Sequence, residues 1–367
     1  MKATRMLYEI GQSLWLDNIT RDLLDSGKLR QYIEGFSVTG LTSNPTIFER
    51  AFKNTDDYDA AIRQALGLGK SCEDIFFDLA IGDLRRAADL FRPIYEQTSG
   101  VDGWVSLEVS PLLARNADAT LQAAKDLFAR AARPNLMIKI PGTRESLPAV
   151  EAAIFLGIPV NVTLLFSREH YVAAAGAFLS GIERRIEHGL QPNVGSVASV
   201  FVSRWDSAVA ANVSNELHNR LGIAMAKRIY TTARALLTSP RWQRVYNLGA
   251  RPQRLLWAST GTKDPSAWKA LYVDALPAPL TVNTMPEETL NAVAKETSLG
   301  PLLPTDGGDC EQVLAEFTHA GFDLNHVAGK LQQEGADSFA KSWDELMAVI
   351  ALKASVLNEE AHSRIAS

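Results

Sequence analysis

Along the chain, short apolar or β-branched runs alternate with longer stretches of helical period, separated by polar or Gly/Pro breaks. Eight runs stand out: "SLWLDNIT", "SVTGLTSNP", "WVSLEVS", "LMIKIPG", "PVNVTLLFS", "VASVFVSR", "LLWAST" and "LTVNTMP". Between them, "NADATLQAAKDLFARAAR" (Asn116 to Arg133) and "RESLPAVEAAIFLG" (Arg144 to Gly157) predict helices, the second closed by a glycine. Strands and helices alternating in this way imply parallel strands joined by crossover helices. Eight units point to a closed (β/α)8 barrel, with a doubly wound sheet as the other arrangement that such counting allows. Two segments fall outside the repeat. Thr46 to Gly100 reads as helical, with "CEDIFFDLAIGDLRRAADLFRPIYEQ" as its long element. The tail from about Gly300 carries helical pattern in "DCEQVLAEFTHAG" and "SFAKSWDELMAVIALKASVL", then a polar end at about residues 358–367 that is expected to be disordered. The expected organisation is therefore one barrel domain over residues 1–367 with helical insertions.

Alternation inside the runs sorts side chains between two faces, because strand side chains point to opposite sides with period two. In run four Leu136, Ile138 and Ile140 share one face, and Met137 and Lys139 the other. The same rule groups Asp17 with Trp15, Thr42 with Asn44, Glu108 with Trp104 and Ser106, and Asn161 with Thr163. Asp17, Asn44, Glu108, Lys139 and Thr163 also lie toward the C-terminal ends of their runs, the end at which barrel enzymes assemble their sites. Taken singly, each has a plain structural use: a lysine stem can pack while its head reaches water, and Asp17 or Asn44 can serve a turn. Their convergence is what points to chemistry.

Composition narrows the partner. The chain has 367 residues, 46% of them hydrophobic, and a net charge of -5, which gives no basic footprint for nucleic acid or an anionic membrane. Two cysteines, Cys72 and Cys310, are too few for a disulfide framework, and the six histidines show no ligand spacing, so neither metal nor cofactor is expected. The start "MKATRMLYEIGQSLWLDN" has no signal-type apolar region and no run is long enough to span a bilayer, which reads as a cytoplasmic protein with a small-molecule substrate. Nothing in the helical pattern announces an oligomer interface.

A lysine in an apolar strand can act as a free amine that attacks a carbonyl and forms a Schiff base, an electron sink for breaking or making a neighbouring carbon–carbon bond. Two carboxylates then have separate tasks, one moving the proton of a sugar hydroxyl and one assisting the loss of water, which Thr163 could help to hold. After run seven, "STGTKDP" (Ser259 to Pro265) suggests a phosphate seat: hydroxyls around Gly261, Lys263, and a helix beginning with Asp264 as N-cap and Pro265 in its first turn. Arg204, in "VFVSRWD", offers a second cation, and its parity against Ser199 requires the strand to end or bend between them. A phosphorylated ketose is the expected substrate. A glycosidase could use Asp17 and Glu108 but leaves Lys139 without a task, and a barrel that only binds sugar phosphates would not need the reactive set.

The motifs "SLWLDNITR", "GLTSNPTIF", "VSLEVSP", "LMIKIPGT", "PVNVTLLFS", "VASVFVSRWD" and "WASTGTKDP", in this order over roughly residues 10–300, resemble those of the transaldolases, in particular the longer bacterial form. The resemblance implies a (β/α)8 barrel that transfers a dihydroxyacetone unit from sedoheptulose 7-phosphate to glyceraldehyde 3-phosphate, giving erythrose 4-phosphate and fructose 6-phosphate, in the non-oxidative pentose phosphate pathway. It implies Lys139 as the Schiff-base lysine, Asp17 as the acid/base group and Glu108 with Thr163 as the pair handling the catalytic water. Asn44, Asn161 and Ser199 resemble the residues that hold the dihydroxyacetone hydroxyls, and Arg204, Ser259 and Lys263 the phosphate site. Many shorter transaldolases carry an arginine where this chain has "TGTK". Phe201 stands where related fructose 6-phosphate aldolases carry a tyrosine that promotes release to water, which favours transfer over the alternative, a class I aldolase releasing free dihydroxyacetone.

Overall fold

The computed structural model describes residues 1–365, with side chains as far as Leu357. The expectation for the polar end at 358–367 lies outside the residues whose side chains are described. Eight parallel strands close into a barrel in sequence order: β1 Ser13–Asp17, β2 Val38–Thr42, β3 Val105–Glu108, β4 Leu136–Pro141, β5 Val160–Leu165, β6 Ser196–Phe201, β7 Arg254–Ala258 and β8 Thr281–Met285. All eight predicted runs are strands, so the closed (β/α)8 barrel is the architecture. The strands are buried on both faces, which is why the outward Leu136, Ile138 and Ile140 are as apolar as a core.

The inner face decides the shape of the barrel floor. Gly40 is required on β2 because a Cβ there would stand 2.6 Å from the Trp104 carbonyl and 2.7 Å from Trp15 Nε1. The Trp15 indole therefore fills the barrel directly below Asp17, with Nε1 donating to Asp102 Oδ1 at 3.0 Å. Beneath it, the buried Arg254 guanidinium donates to Ser13 Oγ at 2.6 Å and to the Thr281 carbonyl at 2.7 Å, closing the N-terminal end. The N-terminal end of the barrel is thus plugged, and the cavity that Lys139 and Asp17 line lies at the C-terminal end of the strands.

The helical segment after β2 forms Pro45–Asn54, Asp59–Gly67 and Cys72–Gln97, the last spanning the predicted long element. The helices predicted near Asn116 and Arg144 are Ala117–Ala131 and Leu147–Leu156, and Gly157 ends the latter at φ 84°, where a side chain would be strained. In the tail, Cys310–His319 is followed by one long helix, Leu324–Ile365. This helix docks across the barrel mouth against the inserted helices. Ser342 and Thr46 share a hydroxyl hydrogen bond of 2.8 Å, Lys353 Nζ reaches Asp59 Oδ1 at 2.6 Å, and Trp343 meets Phe76 edge-on at 5.2 Å. Such an aromatic pair adds about 1 kcal/mol beyond burial.

One local expectation is corrected. No helix starts at Asp264; the helix of this segment is Leu271–Ala275. Asp264 Oδ1 accepts from Ser266 N–H at 2.9 Å, an Asx turn, and Oδ2 accepts from Asn219 Nδ2 at 2.9 Å. The side chain that would have capped a first helical turn is committed to a tighter turn and to the neighbouring loop, which competes with helix initiation.

Candidate active site

Parallel register carries Lys139 to its neighbours: Cα partners across the sheet are Glu108 on β3 and Asn161 on β5. Paired residues of adjacent strands point to the same side, so these three polar groups meet inside the barrel. Lys139 is 5% exposed and Glu108 4%. Its Nζ donates to Glu108 Oε2 at 2.9 Å and to the Ser43 carbonyl at 3.1 Å. Ser43 is itself held by its hydroxyl donating to the Ser106 carbonyl at 2.8 Å. The buried cation is therefore paired and fixed in direction, and this resolves the cost of a lysine in an apolar strand.

Burial raises the Glu108 carboxyl, an effect that the adjacent Lys139 partly offsets. A carboxylate in that condition is a good acceptor for the proton that Lys139 must shed to become a nucleophile. Among the described residues, Glu108 Oε1 and Thr163 Oγ1 are both buried with no hydrogen-bond partner. Two unsatisfied oxygens on neighbouring inward faces are costly as structure alone and suit groups that handle water and proton transfer.

Asp17 ends β1 and lines the same cavity, partly buried. Desolvation raises its carboxyl, against the opposing pull of Lys139, the Thr42 hydroxyl and Lys263. Thr42 Oγ1 donates to Asp17 Oδ1 at 2.8 Å and lies 2.7 Å from Thr284 Oγ1. A hydroxyl has one proton to give, so Thr284 must donate to Thr42, and the chain Thr284 to Thr42 to Asp17 sets the orientation of the carboxylate.

Ser199 Oγ donates to Asn161 Oδ1 at 2.6 Å, and Asn161 Nδ2 donates to Ser106 Oγ at 3.1 Å. Asn44 caps Pro45–Asn54 by accepting from Ile47 N–H at 3.0 Å and also lines the cavity, so its structural and site uses coincide. Strand β6 stops at Phe201 and the helix Ser203–Val209 begins, which turns Arg204 toward the site as the parity of Ser199 required. The Arg204 guanidinium stands 5.4 Å from the Phe201 ring centroid, and burial lowers its pKa. Ser259, at φ 55°, hydrogen-bonds to the Ser203 hydroxyl at 2.9 Å, joining the loops after β6 and β7.

The cavity has a volume of about 300 Å³ and brings Asp17, Asn44, Lys139, Thr163, Ser199, Phe201, Arg204, Ser259 and Lys263 to one space. Glu108 and Asn161 lie beneath it, each bonded to a lining residue. Lys263 is exposed and stands at the border with a second cavity of about 630 Å³ between the loops after β6 and β7. Arg204, Ser259 and Lys263 thus share the cavity wall without the helix N-terminus expected at Asp264.

Several contributors went unassigned in the sequence. Thr284 carried a usable signal, the C-terminal end of run eight with inward parity. Ser43 acts through its carbonyl, which no side-chain pattern reveals. Phe339 and Arg50 also line the cavity from helices outside the repeat. Among the described residues no cluster of His, Cys, Asp and Glu could hold a metal ion, and no helix is long and apolar enough to cross a membrane.

A family model described as Transaldolase/Fructose-6-phosphate aldolase matches residues 14–350. A transaldolase of Thermobifida fusca is 44% identical over 352 residues, covering 94% of this chain and 96% of the other. A transaldolase of Saccharopolyspora erythraea is 42% identical over 351 residues, covering 94% and 95% respectively. A protein named Transaldolase 2 from Nostoc punctiforme is 39% identical over 379 residues, covering 97% and 99%.

Proposed function

The chain belongs to the transaldolase/fructose-6-phosphate aldolase family, and from that premise we propose that it is a transaldolase working through a Schiff base on Lys139. The reaction moves a dihydroxyacetone unit from sedoheptulose 7-phosphate to glyceraldehyde 3-phosphate, leaving erythrose 4-phosphate and forming fructose 6-phosphate. The observation that carries the reading is the buried Lys139 Nζ, held at 2.9 Å by Glu108 at the open end of the barrel.

Glu108 takes a proton from Lys139, and the free amine adds to the ketose carbonyl carbon to give a carbinolamine. Glu108 returns the proton to the departing hydroxyl, water leaves, and an iminium remains; Thr163 steadies that water. Asp17, a stronger base for its burial, removes the proton of the hydroxyl on C4. The C3–C4 bond breaks, its electron pair enters the iminium as an enamine, and the aldose phosphate departs. The acceptor aldehyde then adds to the enamine carbon while Asp17 returns its proton to the new hydroxyl. Water re-enters by the reverse of the first steps and frees Lys139. Asn44, Asn161 and Ser199 bind the hydroxyls of the carried unit, and Arg204, Ser259 and Lys263 bind the phosphate of donor and acceptor. Phe201 offers no proton for discharging the enamine, which favours transfer over aldol cleavage.

The test is borohydride reduction with fructose 6-phosphate, followed by peptide mass mapping, with and without erythrose 4-phosphate. A three-carbon adduct on Lys139 that the acceptor discharges is the expected result. An adduct elsewhere, or none, overturns the reading.

A further inference from the structure

Phe339 belongs to the long C-terminal helix, far along the chain from the barrel strands, yet its ring forms part of the cavity wall. It is 5% exposed, and Lys139 Nζ stands 5.3 Å from its ring centroid. The helix is fixed on both sides of this residue. Gln332 Nε2 donates to the Leu164 carbonyl at 2.9 Å and to the Gly142 carbonyl at 3.2 Å, and Ser342 bonds to Thr46 at 2.8 Å. Gly335, one turn before Phe339, seats so closely that a Cβ there would meet Leu164 Cδ2 at 2.9 Å. A helix held this firmly presents a rigid ring to the reactive nitrogen. The ring has no hydrogen bond to give; it can exclude water from one side of that nitrogen and attract a cation through its π face.

Resting on the reading above, a dihydroxyacetone unit on Lys139 has two exits. In transfer, the acceptor aldehyde forms a carbon–carbon bond to the enamine carbon. In discharge, that carbon takes a proton instead, one water adds to the resulting C=N bond, and Nζ leaves as the amine, releasing free dihydroxyacetone. Both exits end in hydrolysis of a C=N bond at Lys139, so what sets discharge apart is the proton that water gives to the enamine carbon, two bonds from Nζ and so beside the ring of Phe339. We infer that Phe339 is a positioning residue that sets the ratio of transfer to discharge: its ring shields the carried enamine from protonation by water and steadies the positive charge of the iminium, while Gln332 and Ser342 hold it in place.

The experiment uses the full-length chain with fructose 6-phosphate and erythrose 4-phosphate, reading free dihydroxyacetone released per sugar transferred. Phe339→Ala is expected to raise that ratio about tenfold and Phe339→Leu, which keeps the cover, by less than about threefold. Both substitutions should slow borohydride-trappable adduct formation by about fivefold, through the lost attraction of ring for cation. Gln332→Ala removes no group at Lys139 and loosens only the helix, so a ratio raised severalfold in that variant supports the role even if Phe339→Ala fails to fold. A ratio within twofold of wild type in both Phe339→Leu and Gln332→Ala, with Phe339→Ala either equal to them or unfolded, overturns it. Wild-type trapping separates the two readings: an adduct on Lys139 with unmoved ratios defeats only the role of Phe339, whereas no adduct on Lys139 defeats the transaldolase reading and this role with it.

Discussion

Lys139 Nζ and Glu108 Oε2 lie 2.9 Å apart with side chains only 6% and 3% exposed, so each buried group depends on the other for compensation. Removing one partner of such a pair generally costs about 3–5 kcal/mol, less if the survivor can become neutral. Lys139→Ala is expected to abolish transfer and trapping. Its folding cost should depend on pH, because burial already raises the Glu108 carboxyl. A carboxyl raised on folding gives its full stability below its unfolded pKa of about 4.3 and loses it as pH rises through the folded value. Melting curves at pH 5 and pH 8 should therefore show the variant close to wild type at the lower pH and well below it at the higher. Adding Glu108→Gln should remove that difference; an equal deficit at both pH values would show that the lost amine acts through packing alone.

Asp17→Asn is expected to form the trappable adduct and to slow transfer by about 10²–10⁴-fold, the range of one positioned acid/base group. Trapping that fails in this variant would place Asp17 earlier in the sequence of steps. Because desolvation raises the Asp17 carboxyl, its ionised form disfavours the fold at neutral pH. The asparagine variant should gain about 1 kcal/mol at pH 7, a gain that disappears below pH of about 4, where the carboxyl is protonated in both states. Denaturant titrations at the two pH values decide this.

Arg204 and Lys263 should differ in weight. The Arg204 guanidinium is partly buried against Phe201, whereas Lys263 is exposed between two cavities. Arg204→Ala is expected to lower kcat/KM for fructose 6-phosphate by about 10–100-fold, the worth of a charge-assisted hydrogen bond. Lys263→Ala should lower it by less than about fivefold. Neither should change any rate measured with unphosphorylated fructose, and a parallel loss there would refute the phosphate assignment.

Asp206 is the stability counterpart of these groups. Its carboxylate accepts from Leu221 N–H at 2.9 Å, Gly222 N–H at 3.2 Å and the Tyr272 hydroxyl at 2.9 Å, tying the helix Leu221–Thr238 to the helix Leu271–Ala275. Burial pushes its pKa up to about 6, against the pull of those donors. Asp206→Ala is expected to cost about 2–4 kcal/mol at pH 5, from lost caps and an unpaired buried hydroxyl. The wild-type contribution is full below the unfolded pKa and falls as pH rises through about 6, so the deficit should shrink by pH 7.5. Chemical denaturation at both pH values reads this directly, and a deficit that grows with pH would reverse the assigned sign.

The strands and the inward set were legible because their determinants are local. Period-two alternation assigns Lys139, Glu108 and Asn161 to one face from the sequence alone, and runs buried on both sides must be apolar outside. Helix ends such as Gly157 were readable for the same reason, since the left-handed turn is a property of the residue itself. The Asp264 turn was not, because a neighbouring loop supplied Asn219 as a competing partner.

Sequence by itself thus determined eight parallel strands and which side chains share a face, while the closure of those strands into a barrel came from the tertiary structure. Tertiary structure decided what those side chains meet: that Lys139 pairs with Glu108 and leans on the Ser43 carbonyl, that Thr284 orients Asp17 through Thr42, and that Phe339 reaches the reactive nitrogen from the C-terminal helix. The division follows the range of the forces. Backbone geometry and side-chain alternation act over a few residues, whereas cross-strand register and the docking of a distant helix are set by packing the whole chain at once.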